Sequence, residues 1–394
     1  MKIAVINSGS SSIKFKLFHH HTLELLAHIH LEKIGESHSV VTLKSSSGEK
    51  VINTVIRDHE EGLEQIASLL ANEDILEDFS SVDLLAHRVV HGGEYFREAT
   101  FITPDVIKKI KALIPLAPLH NRANLEGIRI SMQKAPKAAQ VAVFDTAFHE
   151  TMPKEAFMYA LKHTMYDEHK IRRYGFHGSS HAYVLGEAAK FLGKDPSELN
   201  VITLHLGNGS SACAIQNGQS IDTSMGFTPL EGLVMGTRSG DIDPAIVLYM
   251  QRVLGLSVDE VDRILNEESG LAGICGTKDV RTILEQEDEA STLAIAMMVR
   301  RIKKYIGAYM ALLEDTDAIV FTGGIGENSA VIRQRVLENI GFGIVLDRKK
   351  NIHNDRSISA PQSSIALLVI PTDEELEIAK ESLKLLEKNK NMTI

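Results

Sequence analysis

The sequence predicts an α/β fold made of two similar halves, and three patterns indicate it. Residues 3–18 pass from an apolar run through small polar residues into a second, alternating run, which is typical of strand, tight turn and strand. Residues 203–215 repeat this pattern, and Gly9–Ser11 fall on Gly209–Ser211 when the chain is shifted by 200 positions. Further strand-like runs alternate with helical ones. Duplicated domains with their two turns facing one another across a cleft explain the repeat, and chance similarity of two glycine–serine turns is the alternative.

Length, composition and charge limit what the chain can do. At 394 residues it is long enough for two domains, and 44% hydrophobic with 24% charged residues is typical of soluble globular proteins. A formal net charge of -10 argues against nucleic-acid and membrane-surface partners, so any anion site has to be built locally. The longest helical run, 290–313, carries four basic residues and is not expected to span a bilayer.

Two cysteines, Cys213 and Cys275, are too few for a disulfide framework or a zinc set. The apolar run after Lys2 is also too short for the core of a signal peptide. We therefore expect a cytoplasmic protein.

In the first half of the chain, two polar residues stand at predicted strand ends. We predict strands within 22–57, a helix over 59–72, a buried strand over 82–93, a helix from Thr103 to Pro115, a rigid loop over 115–121 that presents His120, and a strand over 140–145. Functional groups gather at the carboxyl ends of strands in open α/β sheets, which favours Arg88 and Asp145. The alternative for Asp145 is a simple helix cap.

The second half shows the same alternation of strands and helices. We predict His177 just before a helix capped by Ser179 or Ser180, a loop over 236–244 that carries Arg238, a capping box from Ser257 to Glu260, a strand over 317–329 that ends in glycines, and a strand from 367 that turns through Thr372 into an acidic helix start. The glycines after the 317–329 strand would let a flat nucleoside lie against the backbone.

The first turn has the composition of a phosphate site. Residues 7–12 contain no bulky side chain, so a ligand could approach the backbone N–H groups. Ser10, Ser12 and Lys14 add hydroxyl donors and a positive charge, although an ordinary serine-rich hairpin is the alternative. The chain contains neither a P-loop motif nor a dinucleotide fingerprint. Two phosphate turns and a glycine-rich strand end resemble the actin, sugar-kinase and heat-shock ATPase superfamily.

Nine strings, which run through nearly the whole chain, together resemble the acetate kinase family. They are NSGSSSIK (7–14), HRVVHGG (87–93), PLAPLHN (115–121), FDTAFH (144–149), YGFHGSSH (174–181), HLGNGSS (205–211), TRSGDIDP (237–244), FTGGIGENS (321–329) and PTDEE (371–375). The resemblance implies duplicated actin-like (ribonuclease H-like) domains. It also implies interconversion of ATP and acetate with ADP and acetyl phosphate.

Joining two anions requires positive groups, and the residue types at the matched positions suit that task. Arg88 and Arg238 can each grip carboxylate or phosphoryl oxygens with two hydrogen bonds. His177, and more weakly His120, can donate to the transferring group, although a histidine satisfied within the core is the alternative. Acetate is already ionised at neutral pH and needs no general base. We therefore expect Asp145 to orient an arginine or a metal-bound water.

The resemblance assigns the remaining site residues. It implies a substrate pocket of Arg88, Val90, Leu119, His120, Phe176 and Pro229. It implies nucleotide contacts from Ser10, Ser12, Lys14, His205, Leu206, Gly207, Asn208, Gly209, Asp279, Val280, Arg281, Gly324, Ile325, Gly326, Glu327 and Asn328, of which Asp279 and Arg281 match the pattern least well. It implies Mg²⁺, with Mn²⁺ as a substitute, on Asn7 and Glu374, which suits a cation that keeps most of its waters. A homodimer is also implied.

We expect two domains, residues 1–148 with the C-terminal helix 376–394, and residues 149–375. Closure of the cleft between them would exclude water and limit ATP hydrolysis. A propionate or butyrate kinase on the same scaffold is the nearest alternative. An actin-like or chaperone-like ATPase switch is the alternative of another class, but only about twenty residues follow Glu374 to form a partner-binding domain.

Overall fold

The structure, a computed structural model, describes residues 2–392 without the side chains of Leu119 and of residues 390–392. The chain divides into two compact units. The first unit contains residues 1–147 and 373–394, and the second contains residues 148–372. Glu374 therefore belongs to the first unit, whereas the predicted division left it in the second.

The described residues form thirteen strands in two sheets. The strands are β1 (Lys2–Ser8), β2 (Ser12–His19), β3 (Leu25–Glu32), β4 (Ser39–Ser45), β5 (Gly48–Thr54), β6 (Leu84–Val89), β7 (Thr100–Phe101), β8 (Ala139–Phe144), β9 (Val201–Leu206), β10 (Ser210–Gln216), β11 (Gln219–Thr223), β12 (Ala318–Thr322) and β13 (Ala366–Val369). The first-unit sheet has the order β5-β4-β3-β2-β1-β6-β8-β7, and the second-unit sheet has the order β11-β10-β9-β12-β13.

Fifteen α-helices are present in the same part of the chain. They are α1 (His59–Asn72), α2 (Pro104–Ala112), α3 (Pro118–Lys134), α4 (Lys154–Phe157), α5 (His163–His169), α6 (Gly178–Leu192), α7 (Ala245–Arg252), α8 (Val258–Glu267), α9 (Gly270–Cys275), α10 (Val280–Glu285), α11 (Glu289–Leu312), α12 (Gly323–Asn328), α13 (Ala330–Leu337), α14 (Arg348–His353) and α15 (Glu374–Met392). Among the described helices, none is both long and apolar enough to cross a membrane.

Both sheets contain the same arrangement of five strands. In the first unit, β1 pairs antiparallel with β2 and parallel with β6, β2 pairs antiparallel with β3, and β6 pairs parallel with β8. In the second unit, β9, β10, β11, β12 and β13 repeat these relations in the same order. The predicted duplication is therefore confirmed in the topology.

Helices cover both faces of each sheet. In the first unit, α1 packs against odd-numbered residues of β2 such as Ile13 and Phe15, and α15 packs Ile378 against Ile3 on the other face. In the second unit, α6 covers one face, and helices that include α11 cover the other. Because both faces of the central strands are buried, the sequences of these strands are apolar runs.

The two hairpin turns differ more than their sequences suggest. In the first, the Gly9 N–H donates to the Ser12 carbonyl (2.8 Å), which closes a two-residue turn. In the second, the Gly207 N–H donates to the Gly209 carbonyl (3.1 Å). The strand after the turn begins at Ser12 in the first hairpin and at Ser210 in the second. The shift in residue number that superimposes these two strands is therefore two residues shorter than the shift that aligned the glycines.

Three local predictions were wrong. Residues 118–121 are the first turn of α3 and not a loop, because Pro118 at the first helical position has a backbone angle suited to a helix. Neither Ser179 nor Ser180 caps α6, since His177 occupies that position with a left-handed φ of 57°. The segment 323–328 forms the short helix α12, so its glycines do not continue as an extended backbone.

Candidate active site

The first unit gathers four polar side chains, which we call the first-unit cluster: Asn7, Arg88, Asp145 and Glu374. Asn7 and Arg88 lie near the carboxyl ends of β1 and β6, and Asp145 directly follows β8. Because these three strands are neighbours and parallel, their carboxyl ends meet at one edge of the sheet. Glu374 begins α15.

Arg88 is the centre of this cluster. Its Nε donates to Asp145 Oδ1 (2.9 Å) and its Nη2 donates to Asp145 Oδ2 (2.6 Å), which is a two-pronged grip. Its Nη2 also lies 3.6 Å from Glu374 Oε2, and its Nη1 donates to Asn7 Oδ1 (3.4 Å). Asp145 thus makes the contacts that an orienting partner for an arginine requires.

The charges of the first-unit cluster do not balance, because one guanidinium faces two carboxylates. Burial disfavours the charged form of Arg88, yet Asp145 and Glu374 outweigh it and raise the pKa of Arg88 above its ordinary value. Burial, followed by the like charge of Glu374, raises the pKa of Asp145 against the opposing effect of Arg88. The cluster therefore has an excess of negative charge that a cation could neutralise.

The oxygen atoms of Asn7 and Glu374 suit a hard cation such as Mg²⁺. An amide oxygen and a carboxylate are few ligands, but Mg²⁺ normally keeps several waters and phosphate oxygens. No group of three or more His, Cys, Asp or Glu side chains within residues 2–392 is arranged to hold a metal ion by itself. The donor set thus fits a metal that arrives with a nucleotide.

The residues predicted around the first turn lie beside this cluster in sequence and register. Lys14 is exposed on β2 and is the cross-strand partner of Asn7 in β1. Ser10 is exposed in the turn, and Ser12 begins β2. His59 Nε2 contacts the Gly9 carbonyl (2.7 Å), so the side facing α1 is occupied.

The second unit gathers a cluster around the glycine turn 207–209, which we call the second-unit cluster. His177 stacks on His205 with ring centroids 4.2 Å apart, and its Nδ1 forms a hydrogen bond with Ser211 Oγ (2.9 Å). A Cβ built on Gly209 would lie 3.5 Å from both His177 Nε2 and Arg238 Nη1. The turn backbone, an imidazole and a guanidinium are therefore adjacent.

Arg238 differs from Arg88 in its surroundings. Its Nη1 donates to the Pro229 carbonyl (3.3 Å), and within residues 2–392 no carboxylate forms an ion pair with it. Burial lowers the pKa of this half-buried guanidinium. A cation in this state is an attractive site for an anion.

Buried hydrogen bonds hold the histidines of the second-unit cluster. Ser211 Oγ also contacts His181 Nε2 (2.8 Å), and His181 Nδ1 contacts Thr203 Oγ1 (2.7 Å). Ser180 Oγ contacts His205 Nδ1 (2.8 Å). Burial lowers the pKa of His181 well below its ordinary value, so this imidazole is neutral near pH 7. Sequence reasoning missed Thr203, Ser180 and His181 in this role, although alternation along β9 places Thr203 and His205 on one face.

The predicted nucleotide residues outside the turn are partly engaged with one another. Asp279 caps α10 and pairs with Arg281 (2.7 Å), whose side chain is 88% exposed. Glu327 Oε1 accepts hydrogen bonds from the backbone N–H groups of Gly323 (2.9 Å) and Thr372 (3.0 Å). The space around Gly324 is open on the side where a Cβ would stand. The remaining members, Val280, Ile325, Gly326 and Asn328, lie in α10 and α12.

The predicted substrate residues fall in both units. Val90 is buried and directly follows Val89, the last residue of β6. Phe176 is buried in the second unit, and Pro229 is half-buried. His120 lies in α3, and the side chain of Leu119 lies outside the described residues.

Two asparagines of α3 were missed by sequence reasoning. Asn124 Oδ1 accepts from the Val90 N–H (3.0 Å), and Asn121 Oδ1 accepts from the His91 N–H (3.0 Å). Both amides are buried and fix the segment that follows Arg88. Their spacing of three residues on one helix face was the available signal.

Two units with the same strand order, each with a polar cluster of its own, are the arrangement expected of a phosphotransferase with the actin-like fold. Residues 2–380 match the sequence profile of the Acetokinase family. The chain is 59% identical to an acetate kinase of Sulfurimonas denitrificans over 98% of this chain and 100% of that protein. The chain therefore belongs to the acetokinase family and is a kinase.

Solved structures agree with this assignment. The crystal structure of Porphyromonas gingivalis acetate kinase aligns with a TM-score of 0.90 at 42% identity, covering 98% of this chain and 99% of that one. The crystal structure of a propionate kinase from Francisella tularensis aligns with a TM-score of 0.92 at 44% identity, covering 96% and 98%. The actin-like fold predicted from the sequence is confirmed.

Proposed function

We propose that the protein catalyses reversible transfer of the γ-phosphoryl group of ATP to acetate, which yields ADP and acetyl phosphate. The observation that carries this proposal is Arg238, a half-buried guanidinium without an ion pair in the described chain, beside the 207–209 glycine turn and His177. Such a group has charge and hydrogen bonds available for phosphoryl oxygens.

In this proposal, an acetate oxygen attacks the γ-phosphorus and the bond to the bridging oxygen of ADP breaks in the same in-line step. Acetate is ionised, so no proton has to be removed. Arg238 and His177 stabilise the charge on the equatorial phosphoryl oxygens, and Arg88 holds the acetate carboxylate. Asp145 fixes Arg88 through its two hydrogen bonds.

We propose that Val90, Leu119, His120, Phe176 and Pro229 contact the acyl group. The nucleotide would be held by Ser10, Ser12 and Lys14, and by the segments 205–209, 279–281 and 324–328. Asn7 and Glu374 would hold Mg²⁺ or Mn²⁺, which supplies positive charge to the phosphate oxygens when bound. Arg88 contacts both of these ligands, so metal and carboxylate sites would share one hydrogen-bonded cluster.

The deciding experiment is an assay of acyl phosphate formation by hydroxylamine trapping with ATP and acetate, propionate or butyrate. We expect the highest kcat/KM with acetate, with propionate poorer but active, since one methylene contributes only about 1–3 kcal/mol to discrimination. A higher kcat/KM with propionate would make the chain a propionate kinase. ATP hydrolysis that is independent of any acid would instead indicate an ATPase switch.

The stereochemistry of transfer tests the direct step. With a chiral γ-phosphate, a single displacement inverts the configuration at phosphorus. Net retention would require a phosphoenzyme and would reject the in-line step, while leaving the overall reaction intact.

We further propose a homodimer formed through α7 and the start of α8. A contiguous segment there exposes six large apolar side chains: Ile246, Leu248, Tyr249, Val253, Leu254 and Val258. Exposed apolar patches of this kind mark interaction surfaces. Light scattering after chromatography should give twice the chain mass, and Leu248→Asp should give a monomer. Ile352→Asp, at an exposed position on α14, is the control and should stay dimeric.

We also propose a cytoplasmic location. The support is the pair of free cysteines, of which Cys213 is fully buried, together with dependence on ATP. Cell fractionation with a cytoplasmic marker enzyme tests this.

A further inference from the structure

Among residues 2–392, the Arg238 side chain makes one hydrogen bond, so its position depends on the backbone that carries it. That backbone is a loop from Gly232 to Asp241, and its two ends are tied together. The Gly232 N–H donates to Asp241 Oδ1 (2.8 Å), and the Asp241 N–H donates to the Gly232 carbonyl (3.0 Å). Pro229, whose carbonyl accepts from Arg238, lies three residues before this closure.

Two side chains of α11, Arg301 and Tyr305, bind the two joined ends of this loop, which we call the loop closure. Arg301 Nη1 donates to the Gly232 carbonyl (2.7 Å) and lies 3.2 Å from Asp241 Oδ2, and its Nη2 donates to the Asp241 carbonyl (3.1 Å). The Tyr305 hydroxyl, one helical turn further on, donates to Asp241 Oδ2 (3.0 Å). The carboxylate of Asp241 thus joins both loop ends to the long helix of the second unit.

The conformation of the closure leaves little freedom. Gly232 has a φ of 109°, and a Cβ there would lie 2.5 Å from the Ser224 carbonyl oxygen. Gly240 has a φ of 69°, and a Cβ there would lie 2.4 Å from the Leu233 carbonyl oxygen. Side chains other than hydrogen would therefore strain both ends of the loop.

We infer that Asp241, held by Arg301 and Tyr305, is a positioning residue that aims Arg238 at the transferring phosphoryl group. Within the described residues, it forms no hydrogen bond or ion pair with the Arg238 side chain, so its effect passes through the loop backbone. In the proposed function, many residues bind the ATP ground state, whereas Arg238 acts mainly on the charge that develops in the transition state. A misplacement of about 1 Å can cost roughly a hundredfold in rate.

The inference rests on the proposed catalytic role of Arg238, and a double-mutant cycle separates the two. We expect Asp241→Ala to lower kcat by about tenfold and to leave KM for ATP within about twofold. Asp241→Asn keeps an oxygen for the Gly232 N–H but loses the charge, so its loss should be about threefold. Tyr305→Phe and Arg301→Lys should lie in the same range.

In an Arg238→Ala background, the Asp241 substitution should change kcat by less than about twofold, because residues that act as one unit do not add. Arg300→Lys, on the exposed side of the same helix, and Asp105→Asn, an exposed carboxylate of the first unit, are the matched controls and should keep wild-type kcat. Thermal unfolding of each variant identifies any that fail to fold.

Wild-type kcat in Asp241→Asn and Tyr305→Phe, or a full Asp241 effect that multiplies onto Arg238→Ala, would overturn the inference. Equal losses in kcat and gains in KM for ATP would also overturn it, because they would indicate general damage to the unit. Wild-type kcat in Arg238→Ala would instead reject the proposed role of Arg238 itself.

Discussion

Each unit contains one of the two arginines that we propose to be functional, Arg88 in the first unit and Arg238 in the second, and they are held in opposite ways. Arg88 has two carboxylates and an amide oxygen around it, and their charge raises its pKa. Arg238 has one carbonyl, and burial lowers its pKa. The first guanidinium is therefore fixed before any ligand arrives. In our proposal, the second guanidinium uses its remaining N–H groups to bind the ligand, and its position depends on the backbone that carries it.

The largest expected effect separates these two arginines. Arg88→Ala and Arg238→Ala should each lower kcat by about a thousandfold. Arg88→Ala should also destabilise the fold by about 3–5 kcal/mol, because it leaves Asp145 buried without its partner. Arg238→Ala removes a cation that has no ion pair in the described part of the chain, so it should keep or raise the unfolding free energy. Urea titration measures both, and equal losses of stability would contradict the comparison.

Asp145→Asn tests whether the first-unit carboxylate orients Arg88 or removes a proton. An orienting role predicts a large loss of kcat that is the same at every pH, because an amide cannot reproduce the two charge-assisted hydrogen bonds. The measurement is kcat against pH from 6 to 9. Recovery of activity at high pH would favour a general base.

His177→Ala tests the second-unit cluster while both arginines are kept. A donor aimed at the transferring group acts mainly in the transition state, so kcat should fall by about a hundredfold while KM for acetate changes little. His163→Ala, an exposed histidine of α5, is the control. A change in KM alone would make His177 a ground-state binding residue.

Helix α15, which begins with Glu374 of the first-unit cluster, also contains the carboxyl group of Glu381. Burial, followed by the charge of Glu377, raises the pKa of Glu381 from 4.5 to about 7. Because the folded protein holds this proton more tightly than the unfolded chain, the stabilisation is complete below pH 4.5 and is lost as the pH rises to about 7. Glu381→Gln should remove that loss, a gain of about 1–3 kcal/mol at pH 8 relative to wild type.

Unfolding free energies of wild type and Glu381→Gln at pH 5 and pH 8 check this prediction. Glu126→Gln, at an exposed position of α3, should keep the wild-type pH dependence. Parallel curves for all three proteins would show that Glu381 does not carry the effect.

The smallest expected effect concerns Val90. Val90→Ala should raise kcat/KM for propionate relative to acetate by up to about tenfold, with little change in KM for ATP. Val55→Ala, at an exposed position, is the control. A constant ratio would make Val90 ordinary core, which is reasonable for a residue just beyond the end of β6.

The parts of the fold that follow local rules were predictable from the sequence. Thr103 with Pro104 begins α2, and Ser257 with Glu260 forms the capping box of α8, as expected. The start of α3 was not predicted, because its N-cap residue is Ala117, which has no side chain that could cap the helix. Pro118 was interpreted as a loop signal, although proline is equally common at a helix start.

Only those residues of the candidate site that lie in recognisable sequence motifs could be predicted from the sequence. Asp145 beyond β8 and His177 before α6 follow from strand ends and helix starts. The contacts between Asp241 and α11 join residues some sixty positions apart, and no local pattern encodes them. Charged residues on a long helix usually face solvent, which is why Arg301 gave no signal among its basic neighbours.

The route of the chain through the two units has a consequence for biosynthesis. Residues 148–372 form one uninterrupted unit, whereas α15 returns to the first unit from the far end of the chain. Until α15 leaves the ribosome, the face of the first sheet that contains Ile3, Val5 and Val141 has no helix to cover it. The unit that is translated first is therefore the one that completes its core last, and the nascent chain carries that open apolar face throughout synthesis of the second unit.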